Sequence, residues 1–275
     1  MPVKIIVDSS VDLDPAVREK ITAVVPLSVT FGTEEYQDDV TITPQQFYEK
    51  LASAAQLPTT SQPTPAAFEA AYEKATADGS QVVVITIASQ LSGTYQSATI
   101  AAADYPDRVF VADSRNAAIG AGVLAMYALQ LAEQGMTAPR ILEELISARK
   151  RICLYAMVDT LDYLKKGGRL PAAAAVMGGL LNVKPLIRVE EGKIHVQTMA
   201  RGLKKAFAAL TDLSVAADVD TTMPSLLGYS GTDENLRKYR DSQDFWDPSV
   251  PETVVGAAIG THAGPGAVAA AFFRK

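Results

Sequence analysis

The first half of the chain alternates short apolar, β-branched runs with stretches of helical spacing. The runs at 5–7, 24–31, 82–87 and 109–112 read as strands. Between them the pattern predicts helices over 44–54 and 65–77. Each opens on a Thr-Pro pair, in which threonine caps free amides and proline fills a first-turn position that needs no donor. Such alternation predicts a mostly parallel sheet with helices on its faces. The apolar stretch 117–132 is rich in small residues, is interrupted by Gln130 and is shorter than the roughly 20 residues of a membrane span, so it reads as a buried helix.

Beyond residue 150 the pattern changes. Runs at 183–188 and 193–198 flank Val189-Glu190-Glu191-Gly192, a hairpin signature, so antiparallel pairing is expected to begin here. Runs at 225–229 and 253–259 are expected to join the same sheet, with a helix near 201–213 packed over it. The expected fold is α/β in two domains. Residues 1–155 form a mostly parallel sheet with flanking helices, and residues 156–275 form a mixed α/β unit with antiparallel strands. A length of 275 residues suits this division, at roughly 150 residues per domain.

Charge narrows the partners. Lys and Arg number 25 against 31 Asp and Glu, a net charge of -6, which offers no general positive field for nucleic acid or an anionic membrane. With two histidines, His195 and His262, and one cysteine, Cys153 in an apolar run, no metal site is expected. The lone thiol and an N-terminal apolar run too short for a signal peptide point to the cytoplasm.

Three expected parallel strands end in hydroxyl-rich segments: Asp8-Ser9-Ser10, Ser89-Gln90-Leu91-Ser92-Gly93-Thr94-Tyr95 and Asp113-Ser114. In open α/β sheets the ligand crevice lies outside the carboxyl ends of the strands, so these segments are expected to converge there. The loop 58–65 adds further hydroxyls. Such groups, without a metal or an arginine cluster, suit one small anionic group such as a carboxylate. Helix capping is the alternative for each segment. The turn 89–95 offers more hydroxyls than a cap uses, together with Gly93.

Other patterns fail on inspection. Gly228-Tyr229-Ser230-Gly231-Thr232 lacks the closing glycine of a nucleophile elbow, and Gly120-Ala121-Gly122-Val123-Leu124-Ala125 starts too far after a strand to be a dinucleotide turn. Close helix packing explains the latter. His195 lies mid-strand and reads as a surface residue. His262 follows an apolar run within a glycine-rich loop, where it either serves a site or bonds its own loop.

The motifs Asp8-Ser9-Ser10, Thr60-Ser61-Gln62-Pro63, Leu91-Ser92-Gly93-Thr94-Tyr95-Gln96-Ser97-Ala98, Asp113-Ser114, Leu164-Lys165-Lys166-Gly167-Gly168-Arg169, Asn182-Val183-Lys184-Pro185 and His262-Ala263-Gly264-Pro265-Gly266 together resemble the DegV family of bacterial fatty-acid-binding proteins. The resemblance runs from residue 5 to the C-terminus. It implies one long-chain fatty acid held between two domains, with no further cofactor. It also implies a role as the lipid-presenting subunit of a fatty acid kinase, whose separate ATP-binding subunit phosphorylates the carboxylate for phospholipid metabolism. By motif position it puts Thr60, Ser92 and Gly93 at the carboxylate with His262 and Arg201 beside it, and turns Arg169, on an exposed helix end, toward the kinase subunit. The tail tunnel is expected to use Ala174, Met177, Leu180 and Ile187, the first three within the uncharged stretch 172–181. The sequence departs from the family in Ala263, where threonine is frequent, and in the alanine-rich end 267–271. The second reading is an acyl- or phosphoryl-transfer enzyme in which His262 assists Ser92 or Ser230; an interaction scaffold is the third.

Overall fold

The computed structural model describes residues 2–170 and 182–275. β1 (Val3–Asp8) leads into the short α1 (Pro15–Arg18), whose first amides are capped by Asp14. The run expected as one strand over 24–31 is instead broken at Pro26-Leu27 into β2 (Ala23–Val25) and β3 (Ser28–Phe31), which enter different sheets. Proline has no amide for a ladder bond, so the pairing ends there. β4 (Glu34–Gln37) returns antiparallel to β3. α2 (Pro44–Ser53) opens on a capping box between Thr43 and Gln46. β5 (Thr59–Ser61) then pairs with the other edge of β3, ahead of α3 (Pro65–Thr76).

Next come β6 (Gln81–Thr86), α4 (Thr94–Ala102), β7 (Val109–Asp113), α5 (Ala118–Glu133) and α6 (Ala138–Ala148). β2-β1-β6-β7 form an all-parallel sheet, as the alternation implied. The expectation that antiparallel pairing starts only past residue 150 is corrected by β4-β3-β5. The short Thr59-Thr60-Ser61 strand has no apolar alternation by which to announce itself.

A tight turn over Arg149–Arg151 enters β8 (Ile152–Met157), followed by α7 (Asp162–Lys166), β9 (Val183–Glu190), β10 (Lys193–Arg201) and α8 (Leu203–Ala216). β11 (Ser225–Tyr229), α9 (Glu234–Asp241), β12 (Glu252–Val254), α10 (Ala257–Ala263) and β13 (Val268–Phe273) complete the chain. The second sheet has the order β10-β9-β8-β13-β11-β12. It is antiparallel except between β11 and β12. The β9–β10 hairpin turns through Glu191 at φ 49 and Gly192 at φ 76, the left-handed pair of a tight hairpin. Residue 155 lies inside β8, and the whole of β8 pairs within the second sheet.

One expectation for the C-terminal part is corrected. The run 253–259 is a strand only to Val254 and then becomes α10, so His262 stands on a helix. The alanine-rich end is β13, inside the sheet between β8 and β11. Small apolar residues suit a strand covered on both faces, although alanine itself signals helix more than strand.

α5 lies between the two sheets, packing on β1 and β6 from one side and on β8, β11 and β13 from the other. All residues from Ala118 to Ala125 are buried, which explains the absence of a polar stripe. Gly122 permits this approach, since a Cβ there would stand 2.2 Å from the Asp12 carbonyl oxygen. The core around α5 joins Ile5 and Val7 to Leu154, Leu226 and Phe273. The opposite face of the second sheet packs on Phe207 and Leu210 of α8 and on Trp246.

Candidate functional site

A cavity of about 380 Å³ opens between the inner face of the second sheet, the N-terminus of α5, α10, and the loops at β5 and before α4. Its deep walls are apolar. Strand alternation turns Leu154 and Ala156 of β8, Ile187 and Val189 of β9, and Ala269 of β13 to this side. Ala156 and Ala269 are cross-strand partners, and Ile187 stands opposite Ala156 on the other flank. Methyl groups at paired central positions, where branched side chains would fill the space, leave a trough along the sheet.

The mouth is polar, lined by Thr60, Ser61, Gln62, Ser92, His262 and Arg169. Thr60 comes from β5 and His262 from α10, and the imidazole Nε2 lies 2.9 Å from the Thr60 hydroxyl. Burial, and then the nearby Arg169 charge, pull the His262 pKa down to about 4, so the ring is neutral at neutral pH. Nδ1 is buried without a hydrogen-bond partner among the described residues. It packs against Gly167, where a Cβ would stand 2.1 Å away. A buried lone pair lacking a donor is better tolerated than a buried N–H lacking an acceptor, which puts the proton on Nε2. Nε2–H then donates to Thr60 Oγ1 and leaves the threonine hydroxyl hydrogen free for a ligand.

The turn before α4 supplies the second donor. Ser92 Oγ accepts the Thr94 amide at 3.3 Å and lies 2.8 Å from the Thr94 hydroxyl. With the buried Thr94 hydroxyl donating, the Ser92 hydroxyl hydrogen is free for a ligand. Gly93 also lines the cavity and packs against the Gln62 side chain, whose amide donates to Ser97 Oγ at 2.9 Å.

Arg169 corrects an expectation. It is half-buried and lines the cavity rather than projecting from an exposed helix end. The chain turns back at Gly167-Gly168, and the guanidinium donates to the carbonyls of Leu91 at 3.3 Å and Gly167 at 2.7 Å. Arg201 is a second correction: it ends the edge strand β10, is exposed, and is not among the lining residues. Its neighbour Ala200 packs with Phe207 and Leu210 on the α8 face, so alternation puts Arg201 on the cavity-side face, but at the exposed end of the edge strand and beyond the lining. Ile187 lines the cavity, whereas Ala174, Met177 and Leu180 lie outside the described residues.

The family model described as "Uncharacterised protein, DegV family" matches residues 2–275. The chain belongs to the DegV family. It is 34% identical to a DegV domain-containing protein of Deinococcus radiodurans, over 98% of each chain. A DegV family protein from Thermus thermophilus, described as binding fatty acid, superposes with a TM-score of 0.89 at 32% identity, each chain covered in full. A DegV lipid-binding protein from Thermotoga maritima gives 0.85 at 30% identity, again over both whole chains.

In this DegV chain the hydroxyl-rich segments divide. Ser10 and the turn 89–95 reach the cavity, but Asp113-Ser114 does not line it. Asp113 instead accepts the Ser89 hydroxyl at 2.7 Å, and Ser114 bonds Asn116. Asp8 is structural, tying the Ser10 and Ile87 amides together at the ends of β1 and β6. Ser230 donates to the Gly264 carbonyl and accepts the Ala267 amide, so its hydroxyl has no free hydrogen.

Two residues that anchor the site carry no local sequence signal. Asp38 accepts the Ala257 and Ala258 amides at 2.9 and 3.1 Å and the Ser9 hydroxyl at 3.1 Å. Asp12 accepts the Gly256 amide at 2.8 Å. Together they clamp the start of α10 and so hold His262 over the cavity. Burial pushes the Asp38 carboxyl up to about 6, and burial, with the neighbouring Asp38 charge, raises Asp12 well above its ordinary value. These partners lie more than 200 residues apart in sequence, beyond the reach of any motif.

Proposed function

We propose that this DegV chain is a non-catalytic carrier that holds one long-chain fatty acid and presents its carboxylate to a separate ATP-binding kinase subunit. The observation that carries this reading is the convergence of two hydroxyls, Thr60 and Ser92, at the polar mouth of an otherwise apolar trough. The carboxylate accepts from both hydroxyls, with Arg169 as the neighbouring positive charge. The tail lies along Ala156, Ala269, Ile187 and Val189 of the second sheet, on the face toward the parallel-sheet unit. A tail of about 15 methylenes at ~0.8 kcal/mol each contributes on the order of 12 kcal/mol gross. Each hydrogen bond to the carboxylate adds about 1.5–3 kcal/mol. The tail therefore sets affinity and the hydroxyls set orientation.

A neutral His262 supports carriage over transfer chemistry. Its Nδ1 has no orienting partner among the described residues, and its depressed pKa makes it a weak base at neutral pH. Native mass spectrometry after incubation with a long-chain fatty acid, followed by lipid extraction, tests binding; one fatty acid per chain is expected, and an empty chain overturns the reading. Incubating the loaded protein with ATP and a kinase subunit then tests presentation, with acyl phosphate as the expected product.

A further inference from the structure

The geometry points to a second ligand site: a phosphate-class anion site in the cleft where the Arg149–Arg151 turn enters β8. The cleft measures about 190 Å³. Arg115, Arg149, Lys150, Arg188 and Arg274 line it, against the two acidic residues Glu190 and Glu191. This concentration of cations occurs on a chain whose net charge is -6.

The two acids are already engaged. Glu191 pairs with Arg115, and Glu190 pairs with Arg188 at 2.8 Å. Arg149, Lys150 and Arg274 have no carboxylate partner among the described residues. Among the described residues, the Arg149 guanidinium reaches only the Asp113 carbonyl oxygen, at 2.5 Å. The Nε atoms of both Arg149 and Arg188 are buried without a hydrogen-bond partner among the described residues. Guanidinium N–H groups removed from water and left unpaired are costly, and an oxyanion offsets that cost by accepting from several of them at once. Burial, and then the adjacent Arg115 charge, lower the Arg149 pKa, with Asp113 and Glu191 opposing the shift.

Three cations without a carboxylate partner around a small concavity match a compact dianion better than a polymer, which needs an extended basic stripe. The site is separate from the mouth of the fatty-acid cavity. It shares only Leu154 and Val189 with that cavity, and these paired residues form the wall between the two spaces. The phosphoryl group has two sources, free phosphate or the headgroup of a phospholipid, and binding experiments separate them.

Inorganic phosphate titrated into the full chain at low ionic strength, followed by calorimetry, is expected to show saturable binding. Arg149→Gln, Arg274→Gln and Lys150→Gln are each expected to weaken it by roughly tenfold. Lys150 is exposed and its side chain makes no hydrogen bond among the described residues, so Lys150→Gln leaves the fold untouched; thermal melting checks all three variants. Flotation with phosphatidylglycerol vesicles, against phosphatidylcholine vesicles, identifies the source. Selective recovery lost in the same variants assigns a lipid headgroup, whereas phosphate binding without recovery assigns free phosphate. Absence of both kinds of binding, or binding equal in the variants and the wild type, overturns the proposal.

Discussion

Thr60 and His262 meet at 2.9 Å although 202 positions separate them in sequence. The contact joins the short antiparallel sheet to the helix that follows β12, and with the proton on Nε2 it leaves the Thr60 hydroxyl hydrogen free for a ligand. Thr60→Val keeps the shape and removes the donor. Fatty-acid affinity is expected to fall by about 1–3 kcal/mol with the fold retained, and Ser92→Ala is expected to do the same. Calorimetry with a long-chain fatty acid, alongside circular dichroism, makes the measurement; unchanged affinity in both variants would remove these hydroxyls from the headgroup site.

The neutral state of His262 has a pH signature. Its pKa is about 4 in the fold against 6.5 for the free side chain, so the unfolded chain takes up a proton first as pH falls. The folded state therefore loses stability from this group between pH 6.5 and 4, by up to about 3 kcal/mol. Asp38 works in the opposite direction over nearly the same window. Its carboxyl is raised from 3.8 to about 6, so its penalty grows as pH rises through that range. Comparing His262→Gln with the wild type isolates the histidine. The variant's stability relative to wild type is expected to improve by about 3 kcal/mol on going from pH 6.5 to pH 4, measured by denaturant unfolding. A difference independent of pH would mean that the ring is not held neutral.

The parallel sheet, the buried α5 and the β9–β10 hairpin were all legible in the sequence, because each rests on local periodicity or turn chemistry. The change of sheet at Pro26 was hidden inside one apolar run. β5 was invisible because its three residues are polar, and β13 because its alanines read poorly as strand. At the site, Thr60, Ser92, Gly93 and His262 could be named from motifs and Ile187 from the expected tail tunnel, and the structure brings all five to one cavity. Arg169 and Arg201 were assigned environments that depend on how the chain turns after Gly167 and on how far the end of an edge strand runs past the cavity. Asp12 and Asp38 could not be found at all, since their role is a long-range clamp on backbone amides.

The position of Arg169 leads to a different expectation from the one that its helix-end motif suggests. Its guanidinium is held over the cavity by two carbonyls, and its charge contributes to the lowered pKa of His262. Arg169→Glu puts a carboxylate beside the site of the ligand carboxylate. Fatty-acid affinity is expected to drop by at least about tenfold with no kinase subunit present, as like charges oppose each other in a partly desolvated site. A variant that binds fatty acid normally and loses only phosphorylation would return Arg169 to the kinase interface.

Ala269 decides whether the trough is open. It pairs across the sheet with Ala156, and both methyl groups face the cavity. Ala269→Leu extends a side chain into empty space from a strand whose backbone is held on both edges, by β8 and β11. If the trough holds the tail, the variant folds with near-wild-type stability and fails to bind long-chain fatty acids. Chains short enough to end before the new side chain still bind. If the space were instead collapsed core, the added methylenes would overpack it at about 1–3 kcal/mol of stability. Thermal melting and a fatty-acid chain-length series on the same variant distinguish the two. A stable Ala269→Leu protein that binds every chain length as well as wild type would mean that the tail runs elsewhere.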